Sequence, residues 1–163
     1  MNALSKFWSK VALCVATWFG SGLLPKAPGT WGSIAALPLI WVLAPYSPEI
    51  RLSFWLILLV FATFCTHTYS RSIQQSDPSS VVVDEVLGMG ITTFWIPMTA
   101  PWLLAGFILF RIFDIIKIPP VRQVDLWSKK QTGFFPAFGV IADDLIAGFQ
   151  AAFVLWAASY WIT

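Results

Sequence analysis

Charged residues divide the chain into long uncharged stretches, and these stretches predict its helices. Five stretches without Asp, Glu, Lys or Arg cover residues 11–25, 27–48, 52–70, 86–110 and 145–163. A helix that spans a bilayer needs about 20 mostly apolar residues, within a range of about 17–25. The stretches 52–70 and 145–163 meet this requirement without interruption. Each is therefore predicted to form a membrane-spanning helix.

Prolines and glycines interrupt two of the other stretches. Pro97 and Pro101 fall within 86–110, which predicts two helical pieces with a bend or turn between them. The stretch 27–48 is predicted to be a loop followed by a short or broken helix, because it contains Pro28, Gly29, Gly32, Pro38 and Pro45. Residues 4–20 are short and partly basic, and we expect them to lie along the membrane surface.

These patterns predict an all-α fold, a compact polytopic membrane helix bundle with about four to six hydrophobic helices, some of them short or broken. The alternation of apolar and polar residues that marks strands is absent. The length of 163 residues suits one domain, so residues 1–163 are interpreted as a single membrane-embedded unit.

Composition supports a membrane protein and excludes several other classes. The chain is 58% hydrophobic and 11% charged, whereas an average soluble domain is about 25% charged. A net charge of +2 does not indicate a nucleic-acid partner. Two cysteines form no disulfide framework, and the single histidine, His67, argues against a histidine-based metal site. Lys6 and Lys10 precede an apolar stretch, but no convincing cleavage site follows, so we expect this segment to be retained.

The acidic residues are concentrated in the second half of the chain. Of the eight, the seven between residues 77 and 144 are Asp77, Asp84, Glu85, Asp114, Asp125, Asp143 and Asp144. Glu49, Asp77, Lys129 and Lys130 fit solvated loops. The others lie in apolar sequence, where a charge at the centre of a membrane helix costs about 2.5–3.5 kcal/mol on insertion scales. We therefore expect the embedded charges to converge at one interface, where they neutralise one another or a ligand.

The spacing of these charges favours convergence. Arg111, Asp114 and Lys117 are three residues apart, so a helix places them along one side. The neighbours in each acidic pair, Asp84–Glu85 and Asp143–Asp144, diverge by about 100° around a helix. Each pair can thus reach a shared centre, or divide between a ligand and a neighbour. Clustered carboxylates without histidine favour Mg²⁺ or Mn²⁺, and arginine suits a phosphate. A metal-assisted phosphoryl site and a buried ion-pair network both fit this pattern.

Four blocks carry a resemblance to a known family. In order they are GSGLLPKAPGTWGSIAALP, VVVDEVLGMGIT, AGFILFRIFDIIKIPPVRQVD and GVIADDLIAG. Together they resemble the phosphatidylglycerophosphatase A family over roughly residues 20–150. The resemblance implies a small helical enzyme of the bacterial inner membrane. It would use Mg²⁺ to remove the terminal phosphate of phosphatidylglycerophosphate, giving phosphatidylglycerol and inorganic phosphate. The alternative is a non-enzymatic transporter or assembly factor.

The motifs and the resemblance together assign roles to individual residues. The expected catalytic residues are Asp84, Glu85, Arg111, Asp114, Lys117, Asp143 and Asp144. The expected ligands of Mg²⁺, or of Mn²⁺ in its place, are Asp84, Glu85, Asp143 and Asp144. The expected contacts to the phospholipid substrate are Arg111, Lys117, Arg122, Thr30 and Ser33. Most basic residues accompany this site, so we expect it to face the cytoplasm.

Structural alternatives stand beside these roles. Arg111, Asp114 and Lys117 could form an internal salt-bridge ladder, and the pair Asp143–Asp144 could cap a helix N-terminus. The stretch PGTWGS could present backbone N–H groups to a phosphate, or could be only a tight loop that leads into a helix.

The sequence departs from the family pattern at two places, and it contains one motif that is typical of a different class of phosphatase. Ile118 follows Lys117 where the family usually has proline. Only Gly133 and Gly139 remain where it has a Gly-Gly-x-Gly run. The stretch CTHTYSR, residues 65–71, has the C-x5-R spacing of cysteine phosphatases. It contains no glycine and continues an apolar stretch. We interpret it as a helix end with Arg71 reaching the membrane surface.

Overall fold

A computed structural model describes residues 3–131 and 133–162, and within them the protein is entirely helical. One short 3₁₀ turn, Ser21–Leu23, follows the first helix. The described residues form seven α-helices, which are α1 Ala3–Ala16, α2 Pro28–Leu43, α3 Pro48–Ser72, α4 Val83–Thr92, α5 Ala100–Ile116, α6 Val121–Ser128 and α7 Phe135–Ile162. The predicted all-helical bundle is confirmed.

Two of the described helices, α3 and α7, are long and apolar enough to cross a membrane. They contain the two stretches predicted to span. In the most apolar part of α7 half of the residues are buried, against 28% for α3. The helix α7 is therefore central, and α3 is more peripheral.

The stretch 86–110 is divided as its prolines predict. The helix α4 ends at Thr92 and α5 begins at Ala100, with a turn between them. Pro101 lies in the first turn of α5, where a missing N–H costs no helical hydrogen bond. The two helices form a hairpin, so both the end of α5 and the start of α4 lie at one end of the bundle.

The prediction for residues 27–48 is wrong at its start. The chain is already helical at Pro28, so PGTWGS forms the opening turns of α2 instead of a loop. Ala27 precedes it in a left-handed conformation, with φ of 48°. Proline is favoured in the first helical turn because its φ is set in advance. Pro38 lies inside α2, which continues through it to Leu43.

The first helix packs beside α3. The indole nitrogen of Trp8 donates a hydrogen bond to Thr68 Oγ1 at 3.2 Å. The rings of Trp8 and Phe61 meet edge to face, with centroids 6.0 Å apart. Ala12 and Ala16 are fully buried. The contact surface of α1 is therefore with the bundle, and its orientation to the membrane stays a prediction.

Small residues bring α4 and α7 into close contact. A Cβ on Gly148 would lie 2.5 Å from the carbonyl oxygen of Gly88. The Thr92 hydroxyl donates to the Gly88 carbonyl at 2.8 Å and lies 3.4 Å from that of Gly148. Small residues permit this kind of helix approach inside membranes. The crossing sets the first turn of α4 against the first half of α7.

The outer surface of the bundle is apolar. Large side chains such as Trp41, Ile57, Phe153 and Trp161 are exposed by more than half. A soluble monomer rarely exposes contiguous apolar surface on this scale. Lipid is the solvent that suits it, and we describe the protein as a membrane protein.

Candidate active site

One end of the bundle contains a cavity of about 260 Å³ that collects the charged residues of the sequence. It is lined by the starts of α2 and α4, the second half of α5, α6, the first half of α7 and the loop before α4. Seven of the eight acidic residues line it. The two cations on its wall are Arg111 and Lys117. The predicted convergence of the embedded charges is thus present in the fold.

Three carboxylates form the floor of the cavity. Asp84, Glu85 and Asp144 each offer an oxygen atom, and these atoms lie within 4.8 Å of one another. The side chains of Asp84 and Asp144 are buried. Glu85 Oε2 is buried and has no hydrogen-bond partner. Three carboxylates this close repel one another in a low dielectric, so the floor is suited to a cation.

Arg111 lies beside the floor with unused hydrogen-bonding capacity. Its Nη1 is 2.7 Å from Asp114 Oδ2 and 3.8 Å from Glu85 Oε1. These are ion pairs without aligned hydrogen bonds, because Nε and Nη1 are buried and have no hydrogen-bond acceptor. A buried guanidinium with free N–H groups is well shaped to hold phosphate oxygens.

A second group of charges forms the rim. Lys117 Nζ donates to Asp125 Oδ1 and, at 2.7 Å, to Asp143 Oδ2. Lys129 Nζ donates to the other oxygen of Asp125 at 2.9 Å. Burial favours a lower pKa for Lys117, but the hydrogen bonds from its ammonium to the two aspartates outweigh burial and raise that pKa. Lys117 therefore stays charged, and it joins α5 to α6 and α7.

The pKa of Asp125 moves in the opposite direction. Burial favours a higher value, but the hydrogen bonds from Lys117 and Lys129 outweigh it and lower the pKa below its ordinary value. Asp125 therefore stays ionised near neutral pH. The sequence left its role open; the structure places it on the rim.

Gly29 lets the start of α2 approach the floor. A Cβ at this position would overlap Glu85 Oε1 and would lie 2.9 Å from Arg111 Nη1. The stretch PGTWGS therefore contacts the site through Gly29. The hydroxyl of Ser33 is turned away, because it donates to the Gly29 carbonyl within α2 at 2.8 Å.

Several expected site residues lie elsewhere. The described lining of the cavity does not include Thr30, Ser33 or Arg122. Arg122 is exposed on α6, and Ser33 is fully buried. Asp143 lines the cavity, but it is bound by Lys117 and is not among the three clustered floor carboxylates. Of the five expected substrate contacts, Arg111 and Lys117 line the cavity.

Asp77 and Ser128 are among the lining residues that were not identified as site residues from the sequence. Asp77 was assigned to a solvated loop, yet it lines the cavity together with Ser128. The available signal was the confinement of seven acids to residues 77–144. Gly139 packs so closely on Ser128 that a Cβ would overlap it. This retained glycine thus serves the contact between α6 and α7.

The C-x5-R motif has no phosphate loop. All of residues 65–71 lie inside α3, so their backbone N–H groups are occupied by the helix. Cys65 is fully buried in the hydrophobic core. A cysteine phosphatase needs an accessible thiolate in a loop that surrounds phosphate. The geometry agrees with the interpretation of this stretch as a helix end.

Comparison with known proteins identifies the family. The sequence model described as Phosphatidylglycerophosphatase A matches residues 14–159. The chain belongs to the phosphatidylglycerophosphatase A family. The family membership confirms the resemblance drawn from the four blocks, and it confirms the prediction of a phosphoric monoester hydrolase. The alternative of a non-enzymatic membrane protein is set aside.

Individual relatives match over most of their length. The Haemophilus influenzae protein named Phosphatidylglycerophosphatase A is 36% identical over 150 residues, which cover 91% of this chain and 88% of the relative. The Escherichia coli protein of the same name is 35% identical over 87% of this chain and 80% of its own. A Bacteroides thetaiotaomicron protein with the provisional name phosphatidylinositol-3-phosphatase is 34% identical over 94% of this chain and 96% of its own length. No solved structure matches the chain significantly.

Proposed function

We propose that this protein is a Mg²⁺-dependent lipid phosphatase that hydrolyses phosphatidylglycerophosphate to phosphatidylglycerol and inorganic phosphate, in phospholipid biosynthesis. The observation that carries the proposal is the floor of the cavity, where three carboxylates cluster beside an arginine with free N–H groups. Membership of the phosphatidylglycerophosphatase A family supports the substrate.

The donor set of the cavity fits a hard divalent cation. Asp84, Glu85 and Asp144 offer only oxygen atoms, and no histidine or cysteine is among the described residues that line the cavity. Mg²⁺ and Mn²⁺ prefer such ligands, whereas zinc favours nitrogen and sulfur. The unpartnered Oε2 of Glu85 is a further free donor. A bound Mg²⁺ would polarise phosphate oxygens and lower the pKa of water.

The remaining charged residues bind and orient the phosphate. Arg111 donates hydrogen bonds to oxygens of the terminal phosphate and stabilises the charge that develops on them during transfer. Asp114, 2.7 Å from Arg111, holds the guanidinium over the floor. Lys117 contributes positive charge at the rim, where Asp125 and Asp143 fix its position.

We place the protein in the bacterial inner membrane as a multi-pass protein with this cavity on the cytoplasmic face. Seven of the ten Lys and Arg residues accompany the cavity end of the bundle: Lys26, Arg71, Arg111, Lys117, Arg122, Lys129 and Lys130. Basic residues near the ends of spanning helices favour the cytoplasmic side.

Phosphate release from defined lipids tests the proposal. The protein purified in detergent is expected to release inorganic phosphate from phosphatidylglycerophosphate with Mg²⁺, and to lose this activity in EDTA. Phosphatidylinositol 3-phosphate is the competing substrate to include, because one relative carries that name. Cys65→Ser is expected to keep wild-type turnover. Absence of release at every Mg²⁺ and Mn²⁺ concentration would contradict the proposal, and so would inactivity of Cys65→Ser alone.

A further inference from the structure

A second polar cavity lies next to the carboxylate cavity and has the opposite chemistry. Its volume is about 400 Å³, and it is bordered by the end of α3, the following turn, the loop before α7 and the start of α7. The polar side chains on its wall include His67, Ser70, Arg71, Gln74, Gln75 and Gln131. No acidic residue is among the described residues that line it.

Two of these side chains lack partners. Ser70 is 7% exposed, and its Oγ has no hydrogen bond. A buried hydroxyl left without a partner is unfavourable, so an unpaired Ser70 at the wall of a cavity indicates a ligand. Arg71 forms no ion pair among the described residues. A free guanidinium, neutral amides and a hydroxyl form a donor-rich surface, which selects an anion.

The two cavities are consecutive along the same parts of the chain. On α7, Pro136 and Ala137 line the second cavity, whereas Val140 and Asp143 line the first. These positions follow at helical spacing on one face, and seven residues of helix rise by about 10 Å. The loop after α3 also lines both cavities, since Ser76 lines the second cavity and Asp77 lines the first.

The geometry points to a metal-independent phosphate-binding site in the second cavity, held by Arg71, Ser70 and the glutamines. Its ligand is the phosphate group of an anionic phospholipid headgroup or free inorganic phosphate, which share this chemistry. The site gives the stretch CTHTYSR a role. Its arginine and serine bind an anion, while Cys65 stays in the core and does not line the cavity.

Calorimetric titration of inorganic phosphate into the detergent-solubilised protein in EDTA tests the site. EDTA removes metal ions from the carboxylate cavity. Its seven acidic residues then outnumber its two basic residues, so the cavity repels phosphate. Saturable binding is expected in the wild type. Arg71→Gln should weaken it by at least about tenfold, and Ser70→Ala by about two- to tenfold, as for the loss of charged and neutral hydrogen bonds. The matched control is Lys130→Gln, an exposed cation that lines neither cavity; it should bind as the wild type does.

A lipid arm separates the two sources of phosphate. Phosphatidylglycerol added to the micelles either displaces inorganic phosphate, which assigns the site to a lipid headgroup, or leaves its affinity unchanged, which assigns it to free phosphate. Absence of saturable binding of both probes would overturn the site. Wild-type affinity in Arg71→Gln and Ser70→Ala, or an equal loss in Lys130→Gln, would do the same. The titration uses neither metal nor turnover, so its outcome is independent of the phosphatase assay.

Discussion

At the scale of single residues, the carboxylates of the cavity fall into two groups by their partners. Asp125 and Asp143 on the rim are neutralised by lysine. On the floor, Glu85 has only an ion pair of 3.8 Å with Arg111, and no lysine contacts Asp84 or Asp144 among the described residues. Excess negative charge is therefore concentrated on the floor, which is the part that a cation would stabilise.

The floor carboxylates are expected to be indispensable. Asp144→Asn should lower kcat/KM for phosphate release by about 100-fold or more, because even groups behind the ligands of a metal are worth about 10–100-fold. It should also weaken Mn²⁺ binding, measured by electron paramagnetic resonance. Glu49→Gln is the matched control, since Glu49 is the one acid outside the cavity. Unaltered Mn²⁺ affinity in Asp144→Asn would remove this residue from the metal site.

The rim network is expected to stabilise the fold in a pH-dependent way. The lowered pKa of Asp125 means that its contribution is complete above its ordinary value of 3.8 and is lost as the pH falls through the folded-state pKa. Asp125→Asn should therefore reduce stability near neutral pH by about 1–2 kcal/mol, the worth of partly exposed charged hydrogen bonds. This corresponds to a Tm lower by about 2–8 °C for a chain of this size.

Thermal unfolding in detergent between pH 3 and pH 8 measures this effect. The difference in Tm between wild type and Asp125→Asn should shrink as the pH falls below the ordinary aspartate value. A difference that stays constant down to pH 3 would show that the contribution of Asp125 is not electrostatic.

The sequence predicts the chemistry of the site better than it predicts which residues belong to the site. Apolar surroundings identify the floor residues, because a carboxylate in such sequence is costly unless it has a partner. Asp77 gave no such signal, since it lies in a polar loop whose path over the cavity depends on how α3 and α4 pack. Ser33 was predicted to contact the substrate, and its stretch, PGTWGS, lies at the site. In the helix, however, the Ser33 hydroxyl donates to the Gly29 carbonyl.

At the scale of helices, the crossing of α4 and α7 determines whether the floor can assemble. Gly148→Ala should lower both Tm and activity, because its Cβ would lie 2.5 Å from a backbone carbonyl that cannot move alone. Gly106→Ala on α5 is the control, since the nearest atom would be an ordinary 3.4 Å away. Alanine there should be neutral, or should stabilise the helix by up to about 1 kcal/mol. Equal behaviour of the two variants in unfolding and phosphate-release assays would exclude a special role for the crossing.

The sequence predicted helices correctly where an apolar stretch was long, and it failed where the prediction relied on a cluster of proline and glycine. The stretches 52–70 and 145–163 are uniformly apolar and long enough to cross a bilayer, and both lie in long helices of the structure. The cluster of proline and glycine at residues 28–32 was interpreted as a loop, but Pro28 begins α2 and the two glycines serve contacts. Gly29 faces Glu85, and Gly32 faces Val82. Such contacts are tertiary, and local sequence does not reveal them.

At the scale of the whole molecule, the acidic residues are concentrated at one end of the bundle, since seven of the eight line the carboxylate cavity. The helix α3 has 25 residues, which makes it about 38 Å long and sufficient to cross the hydrocarbon core. Ser47 precedes its first residue, and the loop to the cavity follows its last. The turn before α3 and the carboxylate cavity therefore lie on opposite sides of the membrane when α3 spans it.

Cysteine labelling tests the proposed orientation. In a Cys14→Ser, Cys65→Ser background, a membrane-impermeant maleimide should label Ser47→Cys in intact spheroplasts and should label Lys130→Cys only after lysis. Both positions are exposed, so the difference between them reports sidedness and not burial. The expected direction follows from the seven basic residues at the cavity end, because translocating them is unfavourable. The reverse pattern would place the site outside the cytoplasm. Labelling of both positions before lysis would show that α3 does not span the membrane. The protein would then be bound to the membrane surface, and the lipid substrate would have to reach the floor of the cavity there.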